Sequence, residues 1–406
     1  MLTGLLFSAL LATSIGQSIV ITLLPSLGRA AGLTEIQVAL ILSASSLVFA
    51  LGASIWSGVS LKLGRRKVLL IGMGGYTLGT VIFTGIFYLG FSGWLVGLPL
   101  VIALMLARSL QSSVMSATPP AVLGITLAIS TPENRVGQIS RVTSANTLGQ
   151  VIGPAMGGLL AIFGLLVPLY TIILFTFLAW LLMVYRLPPE SQLQNEEAST
   201  QKAHPDSTQT SDSKSFFANP GLHYVVIAAA LFCALAMVHQ TLGFYFMDEL
   251  GKTPQEAAQR VGFAAMVVAL VSFVVQFTLV QRLQLASWQL LILGLTALTL
   301  GLGLLALASS LQSIYLAMSL IGLGMGFSYP AATAGATTSG TAKQQNRNTG
   351  MVSAAPALGF IIGPLLAALV YQLQPHYPFL LASGIIASLL LIHCWRSLTS
   401  LKGTGR

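Results

Sequence analysis

Two stretches decide the fold: LGQVIGPAMGGLLA at 148–161 and LGFIIGPLLAALV at 358–370. Gly149, Gly153 and Pro154 of the first return as Gly359, Gly363 and Pro364 of the second, an offset of 210 residues (153 to 363). Pro120 and Pro330 keep the same offset. The short loops PENR (132–135) and QQNR (344–347) are also alike, shifted by two. Several coincidences at one offset point to a duplicated half rather than to chance.

Outward from the repeat, the chain is too apolar for water. Of its 406 residues, 55% are hydrophobic and only 7% are Asp, Glu, Lys or Arg, where a soluble domain carries roughly 25%. This excludes a soluble globular protein, and it excludes a disordered one, which needs low hydrophobicity and high charge. The net charge of +9 comes from 19 basic against 10 acidic residues. Both sets are sparse, so the excess belongs to membrane loops and not to a nucleic-acid surface. Cys233 and Cys394 both lie in apolar runs, and they define neither a disulfide framework nor a metal site. The opening MLTGLLFSALL lacks a basic n-region, so it reads as a first span and not as a signal peptide.

A crossing helix needs about 20 apolar residues. Breaking the chain at charges, Pro and Gly clusters predicts twelve spans, at 4–27, 36–60, 68–90, 97–128, 138–162, 165–186, 221–247, 256–280, 286–308, 311–337, 348–372 and 376–396. Spans 4 and 10 are long for one crossing, so tilt or an extension into water is expected. The predicted class is an all-α polytopic membrane protein with two pseudo-symmetric six-helix bundles, 1–186 and 219–406. A polar linker, 187–218 (LPPESQLQNEEASTQKAHPDSTQTSDSKSFFA), joins them on composition grounds. Fifteen Lys and Arg fall in the even-numbered turns and the tail, and three (Arg29, Lys252, Arg260) fall on the other side. Both termini are therefore expected in the cytoplasm, with the protein in the cell inner (plasma) membrane. Two similar halves around a polar linker are the plan of a secondary transporter, with its site near the midplane where the halves meet.

Three stretches carry a resemblance to the major facilitator superfamily, in particular to its twelve-span drug:proton antiporter branch. It covers nearly the whole chain. SGVSLKLGRRK (57–67) is similar to the family's G-x-L-x-D-R-x-G-R-R loop, ARSLQS (107–112) to its R-x-x-Q motif, and GQVIGPAMGG (149–158) matches the antiporter motif G-x-x-x-G-P-x-x-G-G in full. The loop departs from the pattern: Ser57 stands at the leading Gly, and Leu61 at the Asp that in the family helps latch the cytoplasmic gate. A charged latch through residue 61 cannot form.

The gating candidates are Lys62, Gly64, Arg65, Arg66, Gly149, Gly153, Pro154, Gly157, Gly158, Gly363 and Pro364. Gly64 allows a tight turn, and the basic cluster with Lys67 can cap the carbonyl end of span 2 and meet anionic headgroups; a plain topology anchor is the simpler reading. The span 5 glycines clear one helix face for close packing, which is also common in ordinary membrane helices. Pro154 cannot bond the carbonyl of Gln150, so a kink can form there.

Arg108 lies fourteen residues past Trp94, about 21 Å along a helix. A charge that deep costs ~2.5–3.5 kcal/mol on insertion scales and faces a cavity as a rule. Gln111 shares its face at i+3. All ten acids fall in loops or at span ends, so Arg108 has no obvious buried counter-ion. Carbonyls, helix dipoles or water can satisfy it, or a substrate anion can. Gln17, Asn146, Gln150, Gln240, Tyr245 and Tyr329 complete the substrate-binding candidates, although each can equally bond a neighbouring helix. His239 is the best titratable group within a span and the candidate for proton coupling; a lone helical His is more often structural.

What the resemblance implies is an exporter of a small organic molecule working by alternating access, in exchange for protons. The missing buried acid favours an anionic metabolite, such as a carboxylate siderophore, over cationic drugs. The alternatives are a multidrug or antibiotic efflux pump, and an importer of a small organic anion. A polytopic membrane enzyme is disfavoured, since the loops show no metal-ligand spacing, nucleophile elbow or phosphate loop. The expected partners are a small-molecule substrate, protons and the lipid bilayer. No nucleic acid, metal or cofactor is expected, and the chain is expected to be a monomer.

Overall fold

The computed structural model describes residues 2–131, 134–189, 219–283 and 285–403. The linker beyond residue 189 and part of the PENR loop lie outside them. Among the described residues, twelve helices are long and apolar enough to cross a membrane: α1 (Leu2–Ala30), α2 (Glu35–Leu63), α3 (Arg65–Phe91), α4 (Gly97–Ala128), α5 (Gly137–Phe163), α6 (Val167–Arg186), α7 (Leu222–Asp248), α8 (Pro254–Leu283), α9 (Ser287–Ala306), α10 (Leu311–Thr338), α11 (Lys343–Tyr371) and α12 (Tyr377–Arg396). Each matches a predicted span to within a few residues. No strand occurs among the described residues, as expected in lipid, where only helices or closed barrels satisfy the backbone.

Local chemistry sets the helix ends. α2 and α8, the second helix of each half, start with the same device. Thr34 and Thr253 accept from the third helical N–H, while Gln37 and Glu256 reach back to the cap N–H, a reciprocal capping box. Between α2 and α3 only Gly64 intervenes, at φ 88°, a conformation that penalises any side chain with a Cβ. The length of span 4 is resolved by a break: one helical piece ends at Met115 and the next starts at Thr118. Pro119 and Pro120 have no N–H to continue the ladder, and Ala117 N bonds back to Val114 O at 3.1 Å in a tightened turn. Span 10 instead stays helical through Pro330.

The duplication is visible in the packing. A Cβ on Gly149 would lie 2.9 Å from Ile15 N and also meet Ser14; one on Gly153 would meet Ile15 O at 2.9 Å and Ser18. In the second half, a Cβ on Gly359 would meet Cys233 N at 2.6 Å and Phe232, and one on Gly363 would meet Cys233 O at 2.7 Å and Ala236. So α5 fits α1 as α11 fits α7, with partners related by 218 residues (14 to 232, 18 to 236). Pro25 and Gly243 obey the same offset and touch each other, a Cβ on Gly243 falling 2.9 Å from Pro25 Cβ. They mark the pseudo-two-fold axis between the halves.

The two faces of the molecule differ. Near that axis, on the face opposite the termini (the far face), α1 is buried over 18–28 except Ile21, and α7 over 236–246 except His239. Toward the terminal face the helices flanking the axis lose cover. Beyond Ser46, α2 buries only Gly52 and Ser60, and beyond Val268, α8 buries only Val275 among the described residues. The halves are joined at the far face and stand apart at the terminal face.

Candidate functional site: a buried guanidinium and the helix crossings around it

Arg108 and Gln111 project from one face of α4 toward α1 and α3. Arg108 is fully enclosed, at 0% exposure. Its Nη1 donates to Gln111 Oε1 at 2.5 Å and its Nη2 to Gln17 Oε1 at 2.7 Å. Gln111 Nε2 donates to Thr80 Oγ1 at 2.6 Å, and Thr80 donates to Tyr76 O at 2.8 Å. The Phe83 ring centroid lies 5.9 Å from the guanidinium carbon, near the limit of a cation–π contact. Gly79 permits this approach: a Cβ there would fall 2.7 Å from Gln111 Cβ.

Among the described residues no carboxylate reaches Arg108. Two neutral amide oxygens carry its charge. Arg108 Nε and Tyr76 Oη are buried without a hydrogen-bond partner, which is rare enough in a native interior to mark a place with unspent polar capacity. Thr80, Tyr76 and Phe83 were not legible as part of this cluster, because a Thr and two aromatics in an apolar helix carry no periodic signal of their own.

The other proposed pocket residues do not converge on Arg108. Asn146 Oδ1 accepts from Ser14 Oγ at 2.5 Å, linking α5 to α1, and Gln150, one turn on, is exposed. Tyr329 is half-buried and meets Phe232 edge-on, centroids 5.0 Å apart. The His239 ring lies 6.3 Å from Phe360. Gln240 and Tyr245 are consumed in far-face packing: Gln240 Nε2 donates to Glu35 O at 3.0 Å, and Tyr245 Oη to Ala308 O at 2.7 Å. Both sit in the last third of α7, so the single pocket expected from composition divides into separate clusters.

The basic turn also differs from expectation. The side chains of Arg65 and Arg66 reach across to α4 and α6. Arg65 Nη1 donates to Gly124 O at 2.8 Å, and Arg66 donates to Val184 O and Leu187 O, each at 3.3 Å. α3 begins at Arg65, so these side chains reach the carbonyl ends of α4 and α6, where positive charge is favoured. Leu61 and Lys62 are exposed. Arg66→Ala is expected to lower stability by about 1 kcal/mol, a typical net value for hydrogen bonds partly open to solvent. Thermal unfolding in detergent measures it.

The span 5 motif divides its glycines between two neighbours. Gly149, Gly153 and Gly157 face α1, whereas Gly158 faces α8 in the other half. A Cβ on Gly158 would lie 2.9 Å from both Gln259 O and Gly262 Cα, and one on Gly262 would lie 2.6 Å from Gly158 N and 2.7 Å from Pro154 O. Backbone meets backbone, so neither position tolerates a side chain while the halves touch. Gly363 and Pro364 repeat the motif in α11 against α7.

Among the described residues, twelve membrane-crossing helices in two related halves that meet at one face form the architecture of a membrane transporter. The family model described as Major Facilitator Superfamily matches residues 6–339 and 279–403, and the chain belongs to that family. It is 25% identical over 411 residues to Multidrug resistance protein 2 of Bacillus subtilis (strain 168), covering 97% of this chain and 94% of the relative. A crystal structure of a bacterial homolog of the human lysosomal transporter Spinster, inward-facing and occupied, superposes with a TM-score of 0.72 at 15% identity, over 99% of this chain and 97% of the other. A nucleoside transporter structure gives 0.73 at 13% identity, over 97% and 98%. The chain is a multi-pass membrane transporter, not an enzyme.

Proposed function

We propose that this transporter exports small amphiphilic organic molecules from the cytoplasm, in exchange for protons, as a monomer in the cell inner membrane. The observation that carries the reading is the asymmetry between the faces. The basic bias supports a cytoplasmic terminal face; in that orientation the halves part on the cytoplasmic side, which is the state that loads an export cargo. The Bacillus relative's name, a multidrug resistance protein, supports efflux as the direction and a broad cargo range.

The cargo reading shifts away from a carboxylate siderophore, which none of the relatives above supports. The guanidinium invoked for it is enclosed by Gln17 and Gln111 and presents no open charge. With no carboxylate in mid-span and the one mid-span Arg covered, the transmembrane passage offers no strong charge of either sign. Neutral and amphiphilic compounds fit such a wall best. An organic anion is the second reading, favoured by the unpartnered Arg108 Nε, and it requires one amide clamp to swing aside.

The test is efflux from intact cells depleted of other pumps and preloaded with neutral, cationic or anionic fluorescent compounds. Expression of the chain is expected to speed the loss of the neutral and amphiphilic probes, and an uncoupler to abolish the gain. No change for any probe, or faster uptake, overturns the reading. His239→Gln is expected to keep efflux while flattening its dependence on external pH, because glutamine retains hydrogen bonding without a titratable proton. An unchanged pH profile removes His239 as the proton carrier.

A further inference from the structure

At the terminal face, two imidazoles from different helices of the second half meet head to head. His223 is the second residue of α7, and His393 lies in the last turn of α12. Their facing nitrogens, His223 Nε2 and His393 Nδ1, are 3.1 Å apart. The ring centroids are 5.4 Å apart and the ring planes 11° from parallel. That separation is the N···N distance plus one ring radius at each end. Both rings therefore lie nearly in one plane, with the two nitrogens on the line between them, and one nitrogen must donate while the other accepts. Lone pairs aimed along a single line do not converge on a tetrahedral metal ion, and no third His, Cys, Asp or Glu joins the two among the described residues.

His393 is 3% exposed and His223 half-buried, so water reaches the pair from the His223 side. Tyr224 of α7 stands edge-on to both rings, with centroids 5.6 and 6.1 Å away. Arg396 of α12 is the cation that acts on both imidazoles, and from α9 the Trp288 backbone faces His393. α10 and α11 meet the start of α7 with Gly335 and Asn348, which bear no charge. The repeat shows that packing alone does not call for histidines here. By the 218-residue offset of α1 and α7, His223 corresponds to Leu5; by the 210-residue offset of α6 and α12, which begin at Val167 and Tyr377, His393 corresponds to Met183. Leu5 packs against the apolar cluster that holds Met183, so the first half closes the same corner with apolar side chains.

We infer that His223 and His393 form a proton-counting clip, which ties the start of α7 to the end of α12 and releases it when the terminal side turns acidic. Counting protons gives the sign. With both rings neutral, an inner N–H points at a bare inner nitrogen, and the bond forms. One added proton goes to an outer nitrogen; an imidazolium then donates to an imidazole, which strengthens the bond. A second added proton sets N–H against N–H with no acceptor between them, and puts two cations beside Arg396, so the rings part. The clip is closed in the neutral and singly protonated pair and open in the doubly protonated one, a change within reach of histidine's ordinary titration range. Release frees the first turn of α7 from α12, while the Asn219–Asn348 amide bond, which does not titrate, keeps the chain leading into α7 attached to α11.

The test is thermal unfolding of the purified protein in detergent at about pH 7.5 and about pH 5, on either side of histidine titration, with the repeat's own residues as variants. His223→Leu and His393→Met are each expected to lower the midpoint at the higher pH by about 2 °C, and the double variant by less than the sum. On acidification the parent is expected to lose about 2 °C more than the double variant, because only the parent has this bond to break. Equal losses overturn the clip, as does coupling between the two positions that persists at acid pH. Nitrogen NMR of the unaltered protein with isotope-labelled histidine gives an independent readout. At neutral pH the clip is expected to show one protonated and one bare nitrogen coupled across the hydrogen bond, and the coupling is expected to vanish at acid pH. Two imidazoles that titrate independently, without that coupling, overturn the clip even where a variant fails to fold. Neither readout needs a substrate, so failure of the clip leaves the export reading standing, and failure of the export reading leaves the clip standing.

Discussion

Arg108→Met is expected to cut efflux by about tenfold or more while the protein folds and stays at least as heat-stable as the parent. The two halves of this expectation come from different terms. Each charge-assisted hydrogen bond from the guanidinium to Gln17 and Gln111 contributes about 1.5–3 kcal/mol, and removing both leaves two amide oxygens to find other donors. Against that, methionine fills similar volume without the desolvation cost of an ion. Replacing buried charges with apolar side chains of similar size is often neutral or stabilising by 1–4 kcal/mol. If Arg108 only holds α1, α3 and α4 together, transport and stability will move together. If it acts in the cycle, transport falls alone. Efflux rate and thermal midpoint of the same purified variant separate the cases, and full efflux in Arg108→Met discards a role in transport.

Gly262→Val is expected to abolish transport while leaving both halves folded. The new side chain would press on Gly158 N and Pro154 O, and backbone atoms held in a helix cannot yield as a flexible side chain can. Overpacking costs about 1–3 kcal/mol, which moves a two-state equilibrium by roughly 5–150-fold. The strain exists only when α5 and α8 meet, so it falls on the far-face-closed state. Gly153→Val makes the informative contrast. Its clash is with Ile15 O of its own half, so it is expected to lower the amount of folded protein in the membrane rather than to trap one conformation. Membrane yield together with transport per molecule measures both variants. Normal transport in Gly262→Val would remove the α5–α8 crossing from the mechanism.

How much of this was legible follows from where the information lies. Span positions come from hydropathy along one segment, and all twelve were legible to within a few residues. The repeat was legible because Gly149, Gly153 and Pro154 sit inside one short motif, and the structure shows what the motif serves, the α1–α5 fit repeated as α7–α11. Partners across the chain were not legible. Nothing near Gly158 names Gly262, and nothing near Arg29 names Asp248, the acid that it bonds 219 residues away. The α4 break was hidden because the apolar run continues through Pro119 and Pro120. His223 and His393, with ring nitrogens 3.1 Å apart, come from the start of α7 and the end of α12, and no spacing rule connects them.

The candidate pocket was over-read for a physical reason. Composition identifies polar residues in apolar helices but not their height along the helix axis. Gln240 and Tyr245 lie where α7 is packed on all sides, so Gln240 Nε2 and Tyr245 Oη went to neighbouring carbonyls. Gln17 and Gln111 lie beside Arg108, so amide oxygens stand where a substrate anion was expected. The absence of a mid-span acid was legible, and it now bears on neutral or amphiphilic cargo more than on a carboxylate.

The central claim is that the far face must open and close in every cycle. Gln255 Nε2 of α8 donates to Ile162 O at the end of α5 at 2.9 Å, so cysteines at these two positions come within the span of a short, reducible thiol cross-linker while the halves touch. With Cys233 and Cys394 replaced, the most direct measurement is efflux by Ile162→Cys/Gln255→Cys before cross-linking, after it, and after reduction. Transport is predicted to stop on cross-linking and to return with reductant. A fully cross-linked protein that still transports at the uncross-linked rate would contradict the account.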